Sequence, residues 1–434
     1  MESDGPQNTL PEQLIDLALK SGVDAAEVLQ SGSSSHPVFF EANRLKQLES
    51  SEAEGTALRI WKQGRPGLAV AYGEVDPQTL LDKAIALSCL NEPEEIELAP
   101  PSDRHYANMG AAVTVQQLVD WGREIIQTIR EAYPEIICEV ELECDTETTR
   151  IVNSLGLDNG YSDITLNSYV SAEWVRGDDL LNVSDGQICR GSLDLQSLTS
   201  QILQRLAWAQ CNVEVPTGRM PIVFSAKAAD MLWGTIQAAL SGKRVLERSS
   251  PWSDRIGEQV LADRLTLCQH PEYGPFSCPF DDEGTPTEAL TFIENGVLRL
   301  FYTDRTVGRE LGGGSTGNGF RPGLGSYPTP GLFNTIIAPG SLGLKELIAD
   351  IEEGLLVDQM LGGGAGISGD FSVNVELGYR IHQGEIIGRV KDVMVTGNAY
   401  TALNNLIALG ADAEWNGSCC TPSLAVGGLS ATGR

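Results

Sequence analysis

Glycine sets the texture of the second half of this chain. From residue 257 onward it interrupts the apolar runs every few residues, and 47 of the 434 residues are glycine. A glycine inside a helix costs roughly 0.5–1 kcal/mol relative to alanine, so such a stretch favours short strands and turns over long helices. A β-rich C-terminal domain is therefore expected. The extreme case is ELGGGSTGNGFRPG at residues 310–323, with six glycines, a serine, a threonine and an asparagine but no lysine. A phosphate-binding P-loop needs GxxxxGK followed by Ser or Thr, its lysine reaching the phosphates. A dinucleotide fingerprint runs from a strand straight into a helix, whereas Arg321 and Pro322 follow here. What remains is a flexible loop, or a segment whose free backbone groups pair with an extended peptide.

Upstream the patterns mix. Residues 1–105 read as an α+β domain: Leu10, Leu14, Leu17 and Ala18 recur at helical spacing, 25–30 and 37–41 read as strands, and the stretch 64–67 reads as a hairpin turn. Asp76 before Pro77 marks a helix start, and the Pro- and Glu-rich EPEEIELAPPSDR reads as a linker. Residues 106–215 form a second α+β domain, with the amphipathic TVQQLVDWGREIIQTIREAY, strands in CEVELECDTETTRIVNSLG and DNGYSDITLNSYVSAEWVRGDD, and a closing helix in SLTSQILQRLAWAQ. The C-terminal domain, 216–434, opens with a short strand and a helix, RMPIVFSAKAADMLWGTIQAALSG, and SLGLKELIADIEEGLLV supplies one more helix with Ser341 as its cap. The chain is thus two-lobed and α+β.

The formal net charge is -29, from 59 acidic against 30 basic residues. Such a surface repels phosphate backbones and anionic headgroups, so neither a direct nucleic-acid partner nor a membrane is expected. The opening MESDGPQNTLPEQL lacks the basic and apolar regions of a secretory signal, and no apolar run reaches the roughly 20 residues of a membrane helix, which points to the cytoplasm. Nine cysteines lie scattered without a CxxC pair, a pattern of reduced thiols. Adjacent Cys419 and Cys420 alone make no metal site.

The four histidines, His36, His105, His270 and His382, are too dispersed for a local ligand motif. The acidic run FDDEGTP offers Asp281, Asp282 and Glu283 to a hard cation, although a solvated turn is the plainer reading.

Six blocks carry a resemblance. DRIGEQV (254–260), FDDEGTPTEALTFIENGVL (280–298), STGNG (315–319), IEEGLLV (351–357), GDFSVNVELGYRIHQGEII (369–387) and PSLAVGGLSATG (422–433) occur in this order and together resemble the TldD/PmbA family, whose members are similar to zinc-dependent peptidases and were once named modulators of DNA gyrase. The likeness extends upstream through GTALRIWKQGRPGLAVAYG and RIVNSLGL. It implies an α+β N-terminal half, a β-rich C-terminal domain and a dimer that encloses a cavity. Catalytic members carry HExxxH on the helix after the first C-terminal strand, with a distant cysteine completing the metal. Laid on that pattern, Trp233 stands at the first histidine, Gly234 at the glutamate and Ala238 at the second histidine, and GADAEWNGS lacks the cysteine.

The chain therefore resembles the metal-free PmbA or TldE kind, with no cofactor of its own and zinc expected only in a TldD-like partner. The implied role is the non-catalytic subunit of a complex acting on peptides or unfolded polypeptides. The alternatives are a stand-alone peptidase with a site rebuilt from Asp281, Asp282, Glu283, Asp370 and His382, or a homodimeric peptide-binding protein without catalysis. Ser315, Thr316, Gly317, Asn318, Asp281 and Asp282 are the candidates for cavity or peptide contact, the glycine-rich loop lining or bracing the interior.

Overall fold

The structure is a computed structural model describing residues 9–276, 278–362 and 364–433; the first eight residues of the polar N-terminal stretch lie outside it. The fold is α+β with a β-rich C-terminal half. In the N-terminal half, strands from 1–105 and from 106–215 share one nine-stranded sheet. Ala25–Ser35 pairs with Ser51–Lys62 on one side and with Ile137–Asn153 on the other. Two of its strands are long: the 17-residue Ile137–Asn153 runs antiparallel to the 20-residue Leu157–Arg176.

Two helix pairs cover this sheet. Leu10–Lys20 and Pro77–Ser88 bury Leu14, Ala18, Leu80 and Ala84 against Val28, Leu58 and Ile60. Val115–Ala132 and Leu195–Trp208 bury Leu118, Ile125, Ile202 and Leu206 against Val140, Leu142 and Leu166, and the same core takes in Leu356 and Tyr379 from the C-terminal half. Asp76 caps its helix as its sequence signal predicts, accepting from Thr79 N at 2.9 Å, and Thr114 caps the next helix, accepting from Gln117 N at 3.2 Å.

The hairpin turn falls one residue earlier than its sequence suggests. The strands Ser51–Lys62 and Arg65–Tyr72 are joined at Gln63 and Gly64, both at positive φ as a two-residue turn requires. Gly67 lies inside the second strand, where a Cβ would stand 2.1 Å from Ala84 O on the covering helix. Gly67→Val is expected to push helix and sheet apart and cost about 2–4 kcal/mol in urea unfolding. A loss under about 0.5 kcal/mol would refute the close approach.

In the C-terminal half, Gly218–Phe224, Glu353–Leu361, Asp370–His382, Val393–Asn398 and Leu424–Thr432 pair in succession, and the last returns to the first, Ile222 opposite Val426, closing a barrel. The helix Ala226–Ala239 packs on this barrel and on the strands Glu414–Asn416 and Cys419–Thr421 of a six-stranded sheet. The helix expected from 341–357 is a correction. Only Leu344–Ile348 is helical, with Gly343 in place of Ser341 at the cap, and Glu353–Leu361 is a barrel strand. A short apolar run buried on both faces carries no period that separates strand from helix.

Candidate functional site

The helix that would carry a metal motif presents its three key positions to different surroundings. Trp233 has no exposed surface and donates from Nε1 to Thr421 Oγ1 at 2.7 Å, which makes it part of the barrel core. Gly234 faces open space, and Ala238 is half-buried. Cys419 lies in a strand packed on this helix, hydrogen-bonded to Asp230, and burial together with that carboxyl pushes its thiol far up. Cys420 is pushed up to about 11 by burial. Thiols held protonated are poor ligands and nucleophiles. Among the described residues no group of three His, Cys, Asp or Glu side chains could hold a metal ion. Trp233→Phe is expected to cost about 1–2 kcal/mol, the indole N–H bond being the main loss; an unchanged urea midpoint would contradict that bond.

The acidic and glycine-rich loops meet. Asp281 is wholly buried; its Oδ1 accepts from Glu283 N at 3.0 Å and Thr285 N at 2.8 Å, and its Oδ2 accepts from Gly319 N at 2.8 Å. Asp282 Oδ2 accepts from Arg321 N at 2.7 Å, and Glu283 Oε2 from Arg305 N at 2.9 Å. On the other loop, Asn318 is also wholly buried and donates to Gln269 Oε1 at 2.9 Å and Gly331 O at 2.8 Å. Thr316 Oγ1 accepts from Thr303 N at 2.7 Å, and Ser315 Oγ from Gly317 N at 3.1 Å. Gly317 sits at φ 72°, where a Cβ would stand 2.4 Å from Pro286 O.

The solvated turn read from FDDEGTP is thus overturned: backbone N–H donors replace water around the carboxylates, which sequence alone does not reveal. Burial pushes Asp281 up to about 7, against the pull of its three N–H donors, and Glu283 up to about 8, helped by the charge of Asp281. Of the six contact candidates, Asp282, Ser315 and Thr316 keep part of their surface exposed. The pool for a rebuilt site does not converge. Asp370 and His382 cap opposite ends of one 13-residue strand, about 40 Å apart at the usual rise.

Two charged groupings went unread in the sequence. Glu27 and Arg59 face each other across neighbouring strands of the N-terminal sheet, and Arg321 of the C-terminal half reaches Glu27 Oε1 at 3.0 Å. Between the middle strands and the barrel, Arg205 joins Asp185 at 2.5 Å and Asp358 at 2.9 Å. No local spacing signals either, because the partners lie far apart in the chain.

A closed barrel packed on one helix, joined to an α+β half with a long-stranded sheet, is the architecture of the crystal structure of TldE from Thermococcus kodakarensis, with a TM-score of 0.90 over 98% of this chain and 100% of that one at 24% identity, a likeness of fold. The PmbA/TldA metallopeptidase C-terminal domain family matches residues 217–433, and its domain 1 matches 26–88. The chain belongs to the TldD/PmbA family. Over 223 residues it is 30% identical to metalloprotease PmbA of Escherichia coli O157:H7, an alignment spanning 50% of this chain and only 47% of that relative. To an uncharacterized protein of Methanocaldococcus jannaschii it is 26% identical over 95% of this chain and 97% of the relative.

Proposed function

We propose that this chain is the non-catalytic, TldE-like subunit of a peptidase complex that processes peptides or unfolded polypeptides. The observation that carries the reading is the helix Ala226–Ala239, where Trp233, Gly234 and Ala238 stand at the metal-motif positions. None has a lone pair for zinc or a proton to move at neutral pH, so these residues do not fit the metal and no step is routed through it here. The ring of Trp233 lies wholly within the core. In this reading a TldD-like partner holds the zinc, and this chain completes the wall of the chamber. The acidic surface and dispersed thiols suit a cytoplasmic complex.

The test is metal analysis of the purified chain, paired with peptide cleavage with and without a TldD-like chain. Cleavage only in the presence of both chains, with zinc in the second alone, is the expected result. Chelator-sensitive cleavage by this chain alone would overturn the reading.

A further inference from the structure

In a chain of net charge -29, residues 243–255 run against the trend, with Lys243, Arg244, Arg248 and Arg255 facing only Glu247 and Asp254. They span the short helix Gly242–Leu246 and the loop after it. Arg255 is held by Glu258 Oε2 at 2.8 Å and by Gln259 O at 2.7 Å. Lys243, Arg244 and Arg248 are exposed, and among the described residues their side chains have no hydrogen-bond or ion-pair partner. Lys243 lies only within the field of Asp304, and Arg244 within that of Tyr302. A groove of about 730 Å³ opens beside them, with Leu246, Pro251 and Leu311 as its apolar wall and Arg248, Asp254 and Arg255 as its charged one.

One helix, Arg305–Leu311, separates this basic patch from an acidic one. On one side it packs on Gly242–Leu246. On the other, Arg305 NH1 donates to Leu98 O at 3.3 Å, and Arg309 reaches Glu97 at 2.9 Å and Glu95 at 3.5 Å. Residues 92–97 read EPEEIE, four carboxylates without a base, so Arg309 leaves most of their charge uncompensated. Glu92 is exposed and has no partner among the described residues, and the Glu95 side chain is 70% exposed. Large apolar side chains accompany both patches: Leu246, Ile256 and Leu311 stand exposed on the basic side, Leu90 and Ile96 on the acidic side. Apolar residues among unpaired charges, beside a groove, are the composition of a contact surface.

A face with a basic half and an acidic half on either side of one helix is complementary to itself after a half-turn. We propose that two copies of this chain pair through this face, with the helix Arg305–Leu311 at the two-fold axis and Lys243, Arg244 and Arg248 of each copy meeting residues 92–97 of the other. A phosphate polymer or an anionic membrane would meet the acidic half beside the basic one, whereas a second copy offers the opposite charge to both. The repulsion between two strongly acidic molecules is screened beyond about 8 Å at physiological ionic strength, so the groups that touch decide the outcome. None of these residues belongs to the helix Ala226–Ala239, and the inference does not rest on the subunit reading.

Sedimentation equilibrium of the full chain at about 0.15 M salt tests it with two charge-reversed variants. One carries Lys243→Glu, Arg244→Glu and Arg248→Glu; the other carries Glu92→Lys and Glu95→Lys, and all five side chains are exposed, so both variants are expected to fold with the parent's urea midpoint. The parent is expected to dimerise with Kd of about 10 µM or below, and each reversal to weaken self-association at least about tenfold. The second variant is the sharper one: it makes the chain less acidic, so general repulsion alone would tighten its pairing. An equimolar mixture of the two variants is expected to restore a dimer holding one of each, because every reversed patch then meets its opposite. A parent that stays monomeric up to about 100 µM, reversals that leave Kd unchanged, or a mixture that does not pair would each overturn the proposal.

Discussion

Replacing Glu27 with alanine is expected to lower the free energy of unfolding by about 3–5 kcal/mol, among the largest single effects in this chain. Glu27 is almost wholly buried and its Oε1 lies 3.0 Å from both Arg59 and Arg321, whose side chains are themselves nearly inaccessible. Removing the carboxylate takes from two buried guanidinium groups their nearest counter-charge, leaving Asp282 and Glu283 as the remaining acids in the field of Arg321, and burial already pulls Arg321 below the usual arginine range. The penalty is one of breaking the group, not a measure of what the group adds over an apolar filling. Substituting all three together, Glu27→Leu with Arg59→Met and Arg321→Met, is therefore expected to recover most of the loss. Urea denaturation of the single and triple variants separates the two statements. A single variant within about 1 kcal/mol of the parent would mean that water or a rearranged acid compensates the arginines.

That grouping also shows where sequence reasoning stops. The helix start at Asp76 was legible because a cap acts over three residues. The long middle strands were legible because one face alternates, as Cys138, Val140, Leu142 and Cys144 are buried while their neighbours are not. The burial of FDDEG was not, since Asp281 is satisfied by Gly319, 38 residues away, and Arg321 meets Glu27 across 294 residues. The barrel was legible only as glycine-rich texture; its closure depends on pairing Gly218–Phe224 with Leu424–Thr432, which no local signal announces. The metal-motif helix was read through family resemblance, and the structure adds the indole of Trp233 bound to Thr421.

The unfolding free energy is expected to fall by several kcal/mol between pH 6 and pH 9, with Asp281 and Glu283 as the source. Both carboxyls titrate higher in the folded chain, at about 7 and about 8, than the 3.8 and 4.5 of the free side chains. Between those limits the folded state binds more protons than the unfolded one, so stability declines as pH rises. The contribution is complete below about pH 4 and lost once pH passes about 8. Around the pair, Asp282, Asp304, Arg59, Arg305 and Arg321 share the field; burial raises Asp282 and Asp304 as well, which works in the same direction. At the acid end Glu353, held low by Arg380, acts oppositely and loses its contribution as it protonates. Glu283→Gln keeps an oxygen for Arg305 N and cannot ionise, so it should roughly halve the decline. Asp281→Ala removes the acceptor of three buried N–H groups and should cost about 3–5 kcal/mol even at pH 6, where the loss of charge is small. Urea midpoints at pH 6 and pH 9 for the parent and both variants decide the matter. A parent equally stable at both pH values, or a Glu283→Gln chain with an undiminished decline, would assign the buried loop a permanent charge and return the FDDEG carboxylates to the cation-binding reading.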